Sequence, residues 1–124
     1  MQTEPLAVPR EISVAQLVDD YIYRHHFKMF PVVDGDRLVG CVTTREVKEL
    51  PREDWTRQTV GAIAQPCTAD NTVAADTDAM DALSKMHRTR LSRLMVVDGD
   101  RLVGVLSLKD LLNFFSLRLE LGDD

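Results

Sequence analysis

The sequence predicts an α+β fold in which two β-α-β-β-α repeats pack with pseudo-two-fold symmetry. The first observation is an exact repetition: Val-Val-Asp-Gly-Asp-Arg-Leu-Val-Gly runs from Val32 to Gly40 and again from Val96 to Gly104. The second is that the likeness extends beyond those nine residues. FPVVDGDRLVGCVTTREV (Phe30 to Val47) lies over LMVVDGDRLVGVLSLKDL (Leu94 to Leu111), with Thr43 facing Ser107, Arg45 facing Lys109 and Glu46 facing Asp110. Self-similarity at a fixed offset marks an internal duplication. The third is length: 124 residues is one ordinary domain, and half a chain of about 60 residues would bury only about 60% of its unfolded surface. The two halves are therefore expected to fold against each other.

Each element follows from local pattern. Residues 1–12 carry two prolines and mixed polarity and read as a lead-in, with a short strand near Leu6–Val8. Ser13 is placed to cap a helix in which Val14, Leu17, Val18 and Tyr21 recur at helical spacing. Phe30 to Val33 and Arg37 to Val42 read as two strands joined at Asp34-Gly35. Thr43 or Thr44 caps a short helix that stops before Pro51. Residues 51–60 form a polar connection containing Trp55, which is expected to cover one edge of the core, and Val60 to Ala64 reads as one helical turn. Asn71 to Ala75 is a strand, and Asp76 or Thr77 caps a helix bearing Met80, Leu83 and Met86. The second hairpin spans Leu94 to Leu106, and Ser107 starts the last helix. The first repeat carries one extra residue, expected between its helix and its hairpin. The domain reading is a lead-in at 1–12, a first repeat at 13–59 and a second at 60–121.

The last helix is more apolar than its counterpart. Leu108, Leu111, Leu112, Phe115 and Leu119 form one stripe, expected to be core. Phe114, Leu117 and Leu121 form a second, which either packs within the pair or meets another subunit or domain.

Composition excludes several functions. A net charge of −5 argues against a general phosphate-backbone binder and against a polybasic membrane-surface patch, so no nucleic-acid partner is expected. No apolar run approaches the roughly 18 residues of a membrane span, so no direct membrane insertion is expected, and no signal peptide opens the chain. Cys41 and Cys67 are too few for a disulfide framework or a zinc site. Cys41 stands where the second copy has Val105 and reads as a small buried hydrophobe. A cytoplasmic location fits these readings. His25 and His26, adjacent on a helix, point about 100° apart and cannot chelate one ion together. No catalytic constellation stands out, so the chain is read as not an enzyme by itself.

The residues that could carry chemistry lie at helix starts. Ser107-x-x-Asp110 before an apolar helix satisfies the capping-box pattern, and so does Thr43-x-x-Glu46. Arg93 stands before the second hairpin strand; Met29, beside Lys28, is its counterpart in the first copy.

Two copies of strand–helix–hairpin–helix, with Gly40-Cys41-Val42-Thr43-Thr44-Arg45-Glu46 and Gly104-Val105-Leu106-Ser107-Leu108-Lys109-Asp110 after the hairpins, resemble a tandem pair of cystathionine-β-synthase (CBS) domains, the Bateman module. Val60-Gly61-Ala62-Ile63 is similar to the short helix that often introduces the second member. The resemblance covers residues 8–120. Tyr21 to His26 leading into Phe30 to Asp34 is also similar to the CBS pair attached to some site-2-protease-like membrane metallopeptidases, although this chain has neither a His-Glu-x-x-His motif nor a membrane span.

The resemblance implies a regulatory module needing no cofactor, whose ligand is an adenosine nucleotide or adenosyl compound: AMP, ADP, ATP or S-adenosylmethionine. It implies that Asp110 accepts from both ribose hydroxyls with Ser107 nearby, that Arg93 faces the phosphates, and that the ligand lies in the cleft between the copies. The cap and the ligand role remain open together, because one pattern serves both. Thr43 and Glu46 are the weaker pair, since Glu suits a cap and crowds a ribose. The implied partners are a second copy, as a homodimer, and a fused or associated membrane metallopeptidase. A ligand-free structural or dimerisation module is the alternative.

Overall fold

The computed structural model describes residues 7–122. The chain divides into two compact units with the boundary between Cys67 and Thr68, and each repeats the order strand, helix, hairpin, helix.

In the first unit β1 (Val8–Pro9) runs parallel to β2 (Met29–Asp34), which pairs antiparallel with β3 (Arg37–Thr43). In the second unit β5 (Thr72–Ala74) runs parallel to β6 (Arg93–Asp98), which pairs antiparallel with β7 (Arg101–Ser107). The hairpins match in detail. Asp34 pairs with Arg37 and Asp98 with Arg101, leaving Gly35-Asp36 and Gly99-Asp100 as two-residue loops. Gly35 and Gly99 take φ of 67° and 66°, the positive value that a tight hairpin loop requires at its first central position. The register shifts at the same place, Val32/Val33 and Val96/Val97.

The helices differ where the extra residue falls. In the second unit α5 (Ala79–Thr89) is regular; its N-cap is Asp78, whose carboxylate accepts from the Met80 amide at 3.3 Å. Asp76 and Thr77, the expected caps, lie instead in the turn that leaves β5, where the Thr77 amide reaches the Ala74 carbonyl at 3.0 Å. In the first unit Ser13 caps α1 (Val14–Leu17), a π segment (Val18–Ile22) follows, and α2 (Tyr23–His25) completes the helix. Both helices end on a left-handed residue, His26 or Arg90, three positions before the hairpin strand. The extra residue therefore sits inside the helix, not after it. Ser13 pins one end and the His26 cap the other, so the chain widens one turn to hold it.

Each unit has its own core. Val8, Val14, Leu17, Phe30, Val32, Val42, Val47 and Val60 are buried together in the first, with Leu50, Trp55, Ile63 and Ala64 packed against them. Val73, Ala82, Met86, Leu94, Val96 and Leu111 form the second. After α3 (Thr44–Glu49) the connection stays with the first unit: α4 (Val60–Ile63) and β4 (Gln65–Pro66) both lie before the boundary, and β4 pairs with β3. Trp55 covers an edge of that core, and its indole N–H donates to the Leu50 carbonyl at 3.2 Å. The last helix, α6 (Leu108–Glu120), buries less than its pattern promised. Leu111 is buried and Leu108 and Phe115 pack against the core, but Leu112 is 54% exposed and Leu119 82%. The second stripe, Phe114, Leu117 and Leu121, is exposed as well.

Candidate functional site

The start of α6 is built by a reciprocal cap. Ser107 closes β7 in extended backbone, its hydroxyl accepts from the Asp110 amide at 3.1 Å, and Asp110 Oδ2 accepts from the Ser107 amide at 3.4 Å. Burial pushes the Asp110 carboxyl up, hydrogen bonds from the hydroxyl and backbone of Ser107 pull it down, and the balance holds it below the usual carboxylate range. Asp110 is thus ionised at neutral pH, at the positive end of a thirteen-residue helix. Arg93 opens β6 with Ser107 as its partner across the hairpin. The fold therefore brings a guanidinium-bearing residue, a hydroxyl and a carboxylate to one end of one hairpin, although 17 positions separate Arg93 from Asp110.

The first repeat repeats the geometry with different chemistry. Met29 is the partner of Thr43. Thr43 caps α3, and Glu46 is absorbed by that cap: Oε1 accepts from the Thr43 amide at 2.8 Å, and Oε2 accepts from the Thr43 hydroxyl at 2.8 Å and from Gln65 Nε2 at 3.4 Å. Both oxygens are engaged within the protein. Met29, an uncharged side chain, stands where the second hairpin has Arg93.

A pocket of about 280 Å3 is walled by Ala79 and Ala82 of α5, Val96 of β6, and Asp110, Leu111 and Phe114 of α6. The two alanines went unread at the level of sequence. The available signal was small residues at i and i+3 of a helix whose counterpart in the first copy carries Val14 and Leu17.

Other candidates lead elsewhere. Cys41 is buried, and its thiol is pushed up to about 11 by burial first, then by the nearby Glu46 charge and Cys67. Neither cysteine is in a disulfide. Among the described residues no three His, Cys, Asp or Glu side chains are grouped to hold a metal ion.

Comparison with known proteins decides the family. The family model described as CBS domain matches residues 1–53 and 60–117, two members in tandem. The chain belongs to the CBS-domain family. The second family segment starts at residue 60, whereas by packing residues 60–67 go with the first unit. The chain is 30% identical over 126 aligned positions to a zinc metalloprotease of Methanocaldococcus jannaschii, MJ0392, covering 100% of this chain and 33% of that protein. A putative zinc metalloprotease of Synechocystis, sll0528, is 26% identical over 80% of this chain and 27% of its own length. The CBS pair thus spans about a third or less of these curated relatives.

Among solved structures, the cytosolic domain of the Mg2+ channel MgtE in complex with ATP superposes with a TM-score of 0.76 at 26% identity, over 92% of this chain and 46% of that one. CBSX2 in complex with AMP gives 0.76 at 24% identity, over 92% of this chain and 88% of that one. Among the described residues no helix is long and apolar enough to cross a membrane.

Proposed function

We propose that this CBS pair is a regulatory module that binds an adenosine nucleotide or adenosyl ligand at the start of α6 and controls a fused or associated membrane metallopeptidase from its cytosolic side. The observation that carries the reading is the contrast between the two helix starts. Asp110 is a short, ionised carboxylate at a helix N-terminus, with Arg93 at the same end of the hairpin. Glu46 has both oxygens taken by Thr43 and Gln65. A carboxylate at a helix start can accept from a ribose cis-diol, and a guanidinium fork suits a phosphate. The helix end adds a field that favours the anion. ATP and AMP in the MgtE and CBSX2 structures support the ligand class, and the metalloprotease relatives support the partner. Such a module transmits only as much free energy as its ligand's difference in affinity between two states.

The test is thermal unfolding of the chain with millimolar AMP, ATP and S-adenosylmethionine. A ligand at 100 times its Kd adds about 2.7 kcal/mol, which raises Tm by several degrees. Asp110→Ala is expected to remove that shift and Glu46→Ala to leave it. Because Asp110 titrates below the usual carboxylate range, the shift should persist into mildly acidic solution and fade as pH falls through the depressed pKa. No shift with any of the three ligands would leave Ser107 and Asp110 as a helix cap alone.

A second reading rests on a different observation. Phe114, Leu117 and Leu121 expose an apolar stripe along α6, and we propose that it pairs two copies as a homodimer. Light scattering after gel filtration is expected to give a dimer that Leu117→Glu converts to monomer.

A further inference from the structure

In the first unit β4 lies hard against β3. Gly40 stands opposite Pro66 and Cys41 opposite Gln65, and a Cβ on Gly40 would run into the Gln65 carbonyl oxygen. The short strand is held from both sides. The Ala64 amide before it donates to the Val60 carbonyl at 3.0 Å, and Gln65 Nε2 donates to Glu46 at 3.4 Å. The next residue after β4 is Cys67, at the boundary between the two units.

Residues directly opposite across an antiparallel pair share a face, and every second residue along a strand returns to it. Cys41 shares its face with Gln65, so Cys67 follows on that face, diagonally across from Cys41. Diagonal neighbours have Cα atoms about 7–8 Å apart, and a disulfide accepts up to about 6.8 Å, so a movement of about 1 Å joins the two. Cys67 is half-buried and stands just past the end of β4, where the chain can make that movement. Their nearness has a second sign. Burial pushes the Cys41 thiol up first, and the neighbouring Glu46 and Cys67 add to it. The second repeat has Val105 in place of Cys41, so the arrangement belongs to the first unit.

We propose that Cys41 and Cys67 form an intramolecular disulfide that fastens the end of the connection to β3, with a low-molecular-weight disulfide, such as oxidised glutathione, as the oxidant. The thiolate of Cys67, the more exposed of the two, attacks the oxidant and releases one thiol. Cys41 gives up its proton, attacks the Cys67 sulfur of the mixed disulfide and releases the second. Two protein S–H bonds are lost, one S–S bond forms, and the oxidant leaves as two thiols. Burial raises both protein thiols, so little thiolate is present at neutral pH and the bond forms slowly. The same burial disfavours the reduced thiolates, so the bond resists reduction once made. It is a slow lock, and it requires no nucleotide at Asp110.

The experiment incubates the full chain with oxidised glutathione in mildly alkaline buffer, quenches with acid, alkylates the remaining thiols and reads the intact mass. The expected product has lost two hydrogens, carries neither glutathione nor alkyl group, and yields a Cys41–Cys67 cross-linked peptide on digestion. Its rate of formation should rise with pH. Cys41→Val, which copies Val105, should stop at the glutathione adduct of Cys67, and Cys41→Ala gives the same readout should valine disturb the fold. The oxidised chain should unfold several degrees above the reduced one, and a dithiol reductant should reverse the gain. The proposal is overturned if the wild-type chain also stops at the Cys67 adduct, or if the only disulfide joins two chains. A bridged chain with a lower Tm than the reduced one would overturn it equally, because the bond would then have formed at the expense of the native β3–β4 pairing.

Discussion

The two repeats share a hairpin with the same pairing, register shift and loop glycine and differ in what surrounds it. Loop glycines, register shift and capping box recur at equivalent positions, because the residues that dictate them were retained. The helices before the hairpins diverge: one is regular with Ala79 and Ala82 on its inner side, the other widened by a π turn with Val14 and Leu17 there. In the first unit Trp55–Gly61 bonds along one edge and Glu46 is absorbed in hydrogen bonds, and a pocket of about 590 Å3 lies between Arg10, Val39 and Gly61. The second keeps a pocket and an exposed apolar helix. Duplication supplied two copies of one frame, and divergence changed the helices around it.

That contrast can be broken at its strongest point. Leu17→Ala copies Ala82 into the first unit and should cost about 2–5 kcal/mol, the usual range for a fully buried leucine; denaturant unfolding measures it, and a cost near zero would mean the first core is no better filled than the second.

A smaller effect compares the caps. Thr43→Ala and Ser107→Ala should each cost about 1 kcal/mol, with the larger loss at Thr43, whose hydroxyl and amide both bond Glu46 at 2.8 Å. Equal losses would argue that the tighter Glu46 geometry carries no extra stability.

The smallest effect concerns the π turn. Deleting exposed Asp19 makes the Ser13–His26 spacing equal to that of Asp78–Arg90, so the helix should become regular with a change in stability within about 1 kcal/mol. Loss of the folded state would show that the extra residue is required where it stands.

Much of this could be read before any coordinates. The nine-residue repeat implied the duplication; alternating apolar residues around Asp-Gly implied the hairpins; Ser13 and Ser107 were identifiable as caps because each precedes a helical apolar pattern, and Thr43 was one of two candidates beside Thr44. These are local matters, decided within a few residues by backbone sterics and hydrogen bonding. The pairing of Ser107 with Asp110 belongs with them, as does the weaker chemistry of Glu46.

Only the tertiary structure decided the rest, because it depends on which distant groups compete for the same space. Nothing near Asp78 distinguished it from Asp76 or Thr77 as a cap until the turn from β5 consumed the other two. The extra residue could be counted from the sequence, but its place was set by two pinned helix ends with no slack between them. Leu112 and Leu119 fit a core stripe by spacing alone, yet Leu111, Leu108 and Phe115 take the side of α6 that meets the core, and burial needs a partner surface. Arg93 meets Ser107 only through strand register. The bonds from Trp55–Gly61 to the first unit rest on a connection that folds back, and a periodic pattern along the chain carries no information about where a polar connection returns.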